Sequence, residues 1–379
     1  MNQELRQHYE RYPYPRYPYL ASVRRCDTYA LNLETLWARF NGRLPGSGPR
    51  RVLLAGCGTF SAYPASLANP DAEITALDLS TAALRRGRIH ALLHGRCNIS
   101  WQQGDILDPA AAPGPFQFID SFGVIHHLED PLAGLMALER RLSPGGILRL
   151  MVYSRQARQG AESIRRAFRM LGIRDVASAK RLMARSREGS RFHDYLAGSV
   201  EAGFDEGIAD AFLHPRATTF SIDGLMEMIA GTGLQPLLFA HGGALPEVKA
   251  EVERLRRCEA EGEGEGNFIL YLGRGVAGGV GPEDDAMLLL NPALARETGG
   301  FSIRPRRVSP KLGMENPVLD ARGRKFLRRF LKPRPVAGLS PEERSYLRPF
   351  LDAMFLVAFR EDANGTEARA LPCRCAGGS

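Results

Sequence analysis

Two glycines, two acids and a pair of adjacent histidines fall at intervals that could hold a nucleotide-like cofactor and move a proton. Gly56 and Gly58 follow the apolar run Arg51 to Ala55, in Ala55-Gly-Cys-Gly-Thr59. Lacking side chains, they let the backbone turn sharply and let a ligand come close. Asp78 ends a second run, Ile74-Thr-Ala-Leu-Asp78, at about the interval where an acid meets both hydroxyls of an adenosine ribose. Asp105 ends a third, Ile99-Ser-Trp-Gln-Gln-Gly-Asp105. A fourth run, Phe116 to Phe122, leads into Gly123-Val-Ile-His-His-Leu-Glu-Asp-Pro131. Its His126 and His127 are of the type that exchanges a proton near neutral pH. A lone G-x-G can equally be a plain tight turn, so the weight rests on the set.

The elements that must position these groups are strands alternating with helices. A fifth run, Gly145 to Tyr153, follows the turn Ser143-Pro-Gly-Gly. Ser80 suits the N-cap of a helix running to about His94, and Pro131 the first position of one ending near Leu142. Such alternation predicts an α/β, doubly wound parallel sheet with its ligands at the carboxyl ends of the strands. Every group named above stands at such an end.

Taken together, these motifs make residues 50 to 275 resemble the class I S-adenosylmethionine-dependent methyltransferases. The resemblance implies a Rossmann-like seven-stranded sheet with an antiparallel last strand, and S-adenosyl-L-methionine as cofactor. It puts Gly56, Cys57 and Gly58 against the methionine part, Asp78 and Leu79 at the ribose, and Asp105 at the adenine amino group with Ile106 flanking the ring. Phe122 ends the fourth strand at the same site, with His126 and His127 beside the sulfonium. Either histidine could be a base for a hydroxyl or amine acceptor, or pack beneath the cofactor. Methyl transfer to an O or N atom of a small metabolite or peptide is the expected activity. Two positions depart from the pattern: Leu54 stands for the usual acid of the first motif and Phe60 for its last glycine. Phe60 either narrows the cofactor site or packs beneath it. Ser121-Phe-Gly-Val replaces the N-P-P-Y-like tetrapeptide of enzymes that methylate nucleobase or glutamine amines, which argues against that chemistry.

The N-terminal segment, residues 1 to 50, contains Tyr9-Glu-Arg-Tyr-Pro-Tyr-Pro-Arg-Tyr-Pro-Tyr19, too rich in proline to be a helix. It resembles the leader of a bacterial methyltransferase subgroup with a Tyr-Pro-Tyr-Pro-Arg motif. Two roles fit it: a lid whose Tyr14 and Tyr17 hydroxyls orient the acceptor, or a strap across a sheet edge. Residues 154 to 219 form an arginine-rich insertion on the acceptor side, with His214 and Arg216 as candidate acceptor contacts that could equally be structural. A helix over Ile222 to Ala230 and strands near Gln235 to Ala240 and Asn267 to Gly273 complete the domain. The Glu- and Gly-rich stretch Cys258 to Gly266 between them reads as a solvated loop.

Gly275-Val-Ala-Gly-Gly-Val-Gly-Pro282 has the composition of a linker. Beyond it, residues 283 to 362 suit a small basic module, helical or winged-helix-like, able to take a protein partner. A short helix opening at Pro341 and a more apolar terminal helix are expected in it, and residues 363 to 379 form a flexible tail. The net charge of +8 comes with 50 basic and 42 acidic residues, few of the basic ones lysine. Without interleaved aromatics, the basic clusters argue for solvated faces rather than nucleic-acid binding. Six scattered cysteines make neither a disulfide framework nor a zinc pattern, and consecutive histidines do not share a face, so no metal is expected. No signal or membrane-spanning run is present, and a cytoplasmic location is expected. Two other functions share some of these features: a non-catalytic scaffold on the same fold, and a nicotinamide-dependent oxidoreductase. The missing third glycine opposes the latter.

Overall fold

The computed structural model describes residues 3–264, 266–299 and 304–361. Its centre is one sheet of seven strands: β1 (Arg51–Ala55), β2 (Glu73–Asp78), β3 (Ile99–Gln103), β4 (Phe116–Phe122), β5 (Leu142–Val152), β6 (Leu234–Phe239) and β7 (Phe268–Arg274), in the order β3-β2-β1-β4-β5-β7-β6. The first five are parallel, and β7 runs antiparallel to both β5 and β6. Parallel strands covered on both faces require unbroken apolar sequence, and Val52, Leu53, Leu54 and Ala55 are all buried. Leu54, where the usual acid is missing, packs into the core with Val52. β5 begins three residues before the glycine turn where the sequence starts it, and its register with β4 slips between Phe116 and Phe118 to absorb the extra length.

The helices are α1 (Gln3–Arg11), α2 (Leu33–Asn41), α3 (Ala62–Ala68), α4 (Thr81–Leu93), α5 (Pro131–Arg141), α6 (Gln159–Met170), α7 (Val176–Met183), α8 (Arg191–Gly198), α9 (Asp205–Phe212), α10 (Ile222–Ala230) and α11 (Val248–Ala260). Ser80 caps α4 through Ala83 N and α5 opens at Pro131, as the sequence predicts, with Asp130 as its cap through Ala133 N. Two expectations fail locally. Tyr9 to Arg11 belong to α1, which stops only where Pro13 approaches. Cys258 to Ala260 belong to α11, whose Val252 and Leu255 pack into the core and outweigh the polar composition of its end. Helices α6 to α9 make up the insertion and have their own small core around Ile164, Phe168, Ile208 and Phe212, against which Tyr12 of the N-terminal segment packs.

Beyond the sheet lie β8 (Met287–Leu290), α12 (Ala321–Arg328), β9 (Arg334–Pro335), α13 (Pro341–Ser345), α14 (Arg348–Asp352) and β10 (Leu356–Phe359). The strands form an antiparallel sheet in the order β10-β8-β9. The expected terminal helix is cut to the short α14, with Phe350 buried, and the apolar stretch ends in a buried strand; Met354, at φ +58, stands between α14 and β10. This unit shares one core with α2 and the 3-10 turn Arg25–Leu31. Asn291 Nδ2, fully buried, donates to Tyr29 O, Thr35 Oγ1 and Met354 O at 3.0, 3.2 and 3.1 Å. The glycine-rich connection is held to α2: Gly278 N donates to Phe40 O at 3.0 Å, and a Cβ on Gly279 would stand 2.3 Å from Arg39 O. The expected tail, with Cys373 and Cys375, lies outside the described residues.

Candidate active site

Gly56 and Gly58 adopt φ of +76 and +54, the left-handed region open to glycine. The N–H groups of Gly56 and Cys57 both donate to Leu77 O, folding the turn back onto β2. Val124 would meet a Cβ on Gly56 at 2.4 Å. Asp78 faces this turn: one carboxyl oxygen accepts from Gly58 N at 2.8 Å, the other from Ser80 N at 2.9 Å. Each oxygen keeps a lone pair for a ligand hydroxyl. Burial, the largest influence, pushes the Asp78 carboxyl above its ordinary range, and these two N–H groups pull it back. The Cys57 thiol is buried and pushed up for the same reason.

The other expected cofactor residues gather at the same strand ends. Asp105 accepts from Leu107 N through Oδ1, Ile106 is buried beside it, and Leu79 O takes a bond from Gln103. Phe122, partly exposed, lies under the Arg149 guanidinium, which forks onto buried Asp120 with two 2.8 Å bonds.

The leader crosses this region over the carboxyl ends of β1 and β2, not along an edge strand. Thr59 N donates to Tyr14 O, Thr59 Oγ1 donates to Pro15 O, and a Cβ on Gly58 would come within 2.6 Å of Tyr14 O. The Glu10 carboxylate accepts from Thr81 N, Thr81 Oγ1 and Ala82 N, covering the start of α4. Ser80 Oγ donates to Tyr9 O, and Arg86 to Tyr17 O. Tyr17 is half exposed, its ring 4.4 Å from that of Phe60, which packs with Tyr63 and His90 under the leader. Tyr14 stacks on Phe204 of the insertion, and Arg16 pairs with Glu206.

Where leader, fourth-strand loop and insertion meet, the buried polar groups come together. The rings of His127 and His214 lie 3.8 Å apart between centroids, tilted by 32°. Both are oriented by the main chain of Arg216: His127 Nδ1 lies 2.7 Å from Arg216 O, and Arg216 N donates to His214 Nδ1 at 3.0 Å. The Arg216 side chain turns outward to Glu129. Thr218 N donates to His126 O, and Arg165 to His214 O, which tie the end of the insertion to the histidine turn. His126 stacks on Tyr153, 3.7 Å away. Asp210, on α9, accepts from Tyr9 and Tyr153 hydroxyls at 3.3 and 3.4 Å, and His8 stands 4.9 Å from His214.

Burial dominates the protonation of this cluster. It holds His8 and His127 down to about 4 and pushes His126 and His214 well below the usual imidazole range. The same desolvation raises Asp210 and lifts the Tyr9 and Tyr153 phenols well above theirs. The histidines are neutral at physiological pH. One ligating atom each from His127, Asp210 and His214 lies within 4.8 Å of the others, a metal-like spacing. The Arg216 N–H on His214 Nδ1 opposes that use, because it leaves the His214 proton on Nε2 and no lone pair there.

Of the expected acceptor residues, His214 enters this cluster by its ring and Arg216 by its backbone; Tyr14 lies on its rim and Tyr17 on the glycine-turn side. His8, Tyr9, Tyr153 and Asp210 were not singled out in the sequence. Tyr153 carried a signal, since it ends β5 next to the site, whereas Asp210 carried none. His193 and Asp194, on α8, have exposed side chains and stay outside.

The sheet order, the glycine turn after β1 and the acid ending β2 define the Rossmann-like fold of class I methyltransferases. Residues 49–197 match the family model described as a methyltransferase domain. Over 244 residues the chain is 34% identical to protein syc1184_c of Synechococcus sp., covering 61% of this chain and 58% of that one. Over 113 residues it is 33% identical to the ubiquinone biosynthesis O-methyltransferase of Xanthomonas campestris, covering 30% of this chain and 45% of that one. The chain thus spans about half the length of these curated relatives. Among solved structures, PKMT2 from Rickettsia typhi superposes with a TM-score of 0.56 at 15% identity, over 91% of this chain and 78% of that one. Its complex with AdoHcy gives 0.53 at 15% identity, over 88% and 76%. These two share the fold. No helix of the described residues is long and apolar enough to cross a membrane.

Proposed function

We propose that the protein is an S-adenosyl-L-methionine-dependent methyltransferase acting on an O or N atom of a small metabolite or peptide. The observation that carries this is Asp78, held between Gly58 N and Ser80 N with acceptor capacity left on both oxygens, as a ribose diol requires. The methyltransferase-domain match and the relative from ubiquinone biosynthesis support the same reading. When bound, S-adenosyl-L-methionine supplies an electrophilic methyl on a sulfonium. Asp78 would hold the ribose, Asp105 the adenine amine, and the glycine turn would lie along the methionine part. The leader would then act as a lid, excluding water from a displacement that depends on positioning. His127 would take the acceptor proton at Nε2.

Calorimetric titration with S-adenosylmethionine and S-adenosylhomocysteine, with NAD as control, tests this. Micromolar binding of both, lost in Asp78→Ala and absent for NAD, is expected. No binding to the wild type, or undiminished binding to Asp78→Ala, overturns it.

A further inference from the structure

Resting on the methyltransferase reading, the hydrogen bonds around Arg216 go further and select among acceptor chemistries. His127 Nδ1 faces a carbonyl oxygen, which can only accept, so that nitrogen carries the proton and Nε2 has the lone pair. His214 Nδ1 faces an N–H, which can only donate, so the proton of that ring is on Nε2. One residue's peptide groups thereby set two neighbouring imidazoles in opposite tautomers. Both Nε2 atoms turn away from Arg216, and both are buried without a partner among the described residues. Unmet polar groups buried away from water cost about 1–3 kcal/mol each, which makes the pair a place for a ligand carrying one donor and one acceptor.

We propose that this pair is the binding site for an acceptor hydroxyl, with His127 Nε2 receiving its proton and His214 Nε2–H donating to its oxygen. Counting lone pairs distinguishes the acceptor classes. A hydroxyl oxygen has one proton and two lone pairs: the proton meets His127, one lone pair meets His214, and the other is left to attack the methyl. A neutral amine has a single lone pair, which the His214 N–H would occupy, and an ammonium has none. A thiol is too weak a donor and acceptor to satisfy either ring. In the step, the O–C bond forms as the methyl C–S bond breaks and its electron pair stays on sulfur. The hydroxyl proton passes to His127 Nε2. The imidazolium so formed keeps its Nδ1–H on Arg216 O, which steadies the charge. His214 steadies charge building on the oxygen before the methyl arrives.

The tautomers can be read directly by long-range ¹H–¹⁵N spectra of histidine-labelled protein at pH 7, assigned with His127→Gln and His214→Gln. The expected result is Nδ1–H for His127 and Nε2–H for His214. The same tautomer in both rings, or Nδ1–H for His214, overturns the proposal. Phenol and aniline, added with S-adenosylhomocysteine present and then with S-adenosylmethionine, separate the acceptor classes. With the former, phenol is expected to move both Nε2 signals, and aniline, which meets the pair through an N–H and its single lone pair, to move them as well. With S-adenosylmethionine in place of S-adenosylhomocysteine, phenol is expected to be methylated and aniline not. Methylation of aniline at a comparable rate, or no response of either ring to phenol, overturns the hydroxyl assignment. His214→Gln keeps an N–H near the Nε2 position and is expected to hold phenol within about threefold of wild type, whereas His214→Leu loses about tenfold or more. Equal losses in the two variants count against a donor role. Failure of S-adenosylmethionine binding in the calorimetric test removes the methyl-transfer step and leaves the tautomers as measured, so the two failures are distinct.

Discussion

Acid should weaken this protein through His127 before it affects surface carboxylates. Folded, His127 is held to about 4, because burial penalises its cation and nearby Arg165 and Arg158 add to that penalty, only partly opposed by the Arg216 carbonyl. Unfolded, it returns to an ordinary 6.5. Between those values the unfolded chain binds the proton and the folded chain does not, so stability falls as the pH drops through 6.5 toward 4. Going from pH 7 to pH 5, this one residue removes about 2 kcal/mol. His8, held to about 4 for the same leading reason, adds to the loss and is relieved in part when His127 is replaced. The assay is urea unfolding of wild type and His127→Gln at both pH values. The wild type should lose about 2 kcal/mol more than the variant. Equal losses would refute the neutral, desolvated imidazole, and with it the lone pair on Nε2 that the proposed proton transfer requires. For the proposed methyl transfer the same shift predicts turnover that stays level from pH 8 to pH 6, where an ordinary histidine would be losing its basic form.

Two further substitutions test how the chain is tied together. Glu10→Ala removes three bonds from the start of α4 and should cost about 1 kcal/mol, with faster tryptic cleavage at Arg11 and Arg16 as the leader loosens; unchanged cleavage would mean that other contacts hold the leader. Asn291→Leu strands Met354 O, takes one bond each from Tyr29 O and Thr35 Oγ1, which keep Asn32 as partner, and removes the cap on Ala293 N, and should cost about 2–4 kcal/mol. Its calorimetric unfolding should remain a single transition at lower temperature. A separate early transition would show that the C-terminal unit melts by itself.

The sheet could be read in the sequence because its strands are short apolar runs ended by glycine or an acid, a pattern dictated by burial on both faces and ligand approach at one end. Tertiary burial decided what composition could not. Leu356-Val-Ala-Phe359 is a strand because it pairs with Met287–Leu290, and Cys258 to Ala260 are helical because Leu255, one turn earlier, is anchored in the core. What the sequence could not give for Phe60 is its contact with the leader: Tyr17 lies on its ring, so Phe60 serves as a seat for that segment.

The cluster around Arg216 shows a deeper limit of sequence reading. His127 and His214 attract notice by type, yet their chemistry is set by a backbone carbonyl and a backbone N–H that every residue except proline possesses. No side-chain pattern encodes which imidazole nitrogen keeps its proton. It follows from where the insertion returns to the fourth-strand loop, a return held by Thr218 N on His126 O and by the bridge between Ser154 and Phe220. Arg216 drew attention for its guanidinium, which points outward to Glu129, while its peptide groups act inside. Arg216→Ala should therefore leave both tautomers as they are, and a substitution that moves the main chain there, Arg216→Pro, should disturb them, because proline has no N–H to give His214.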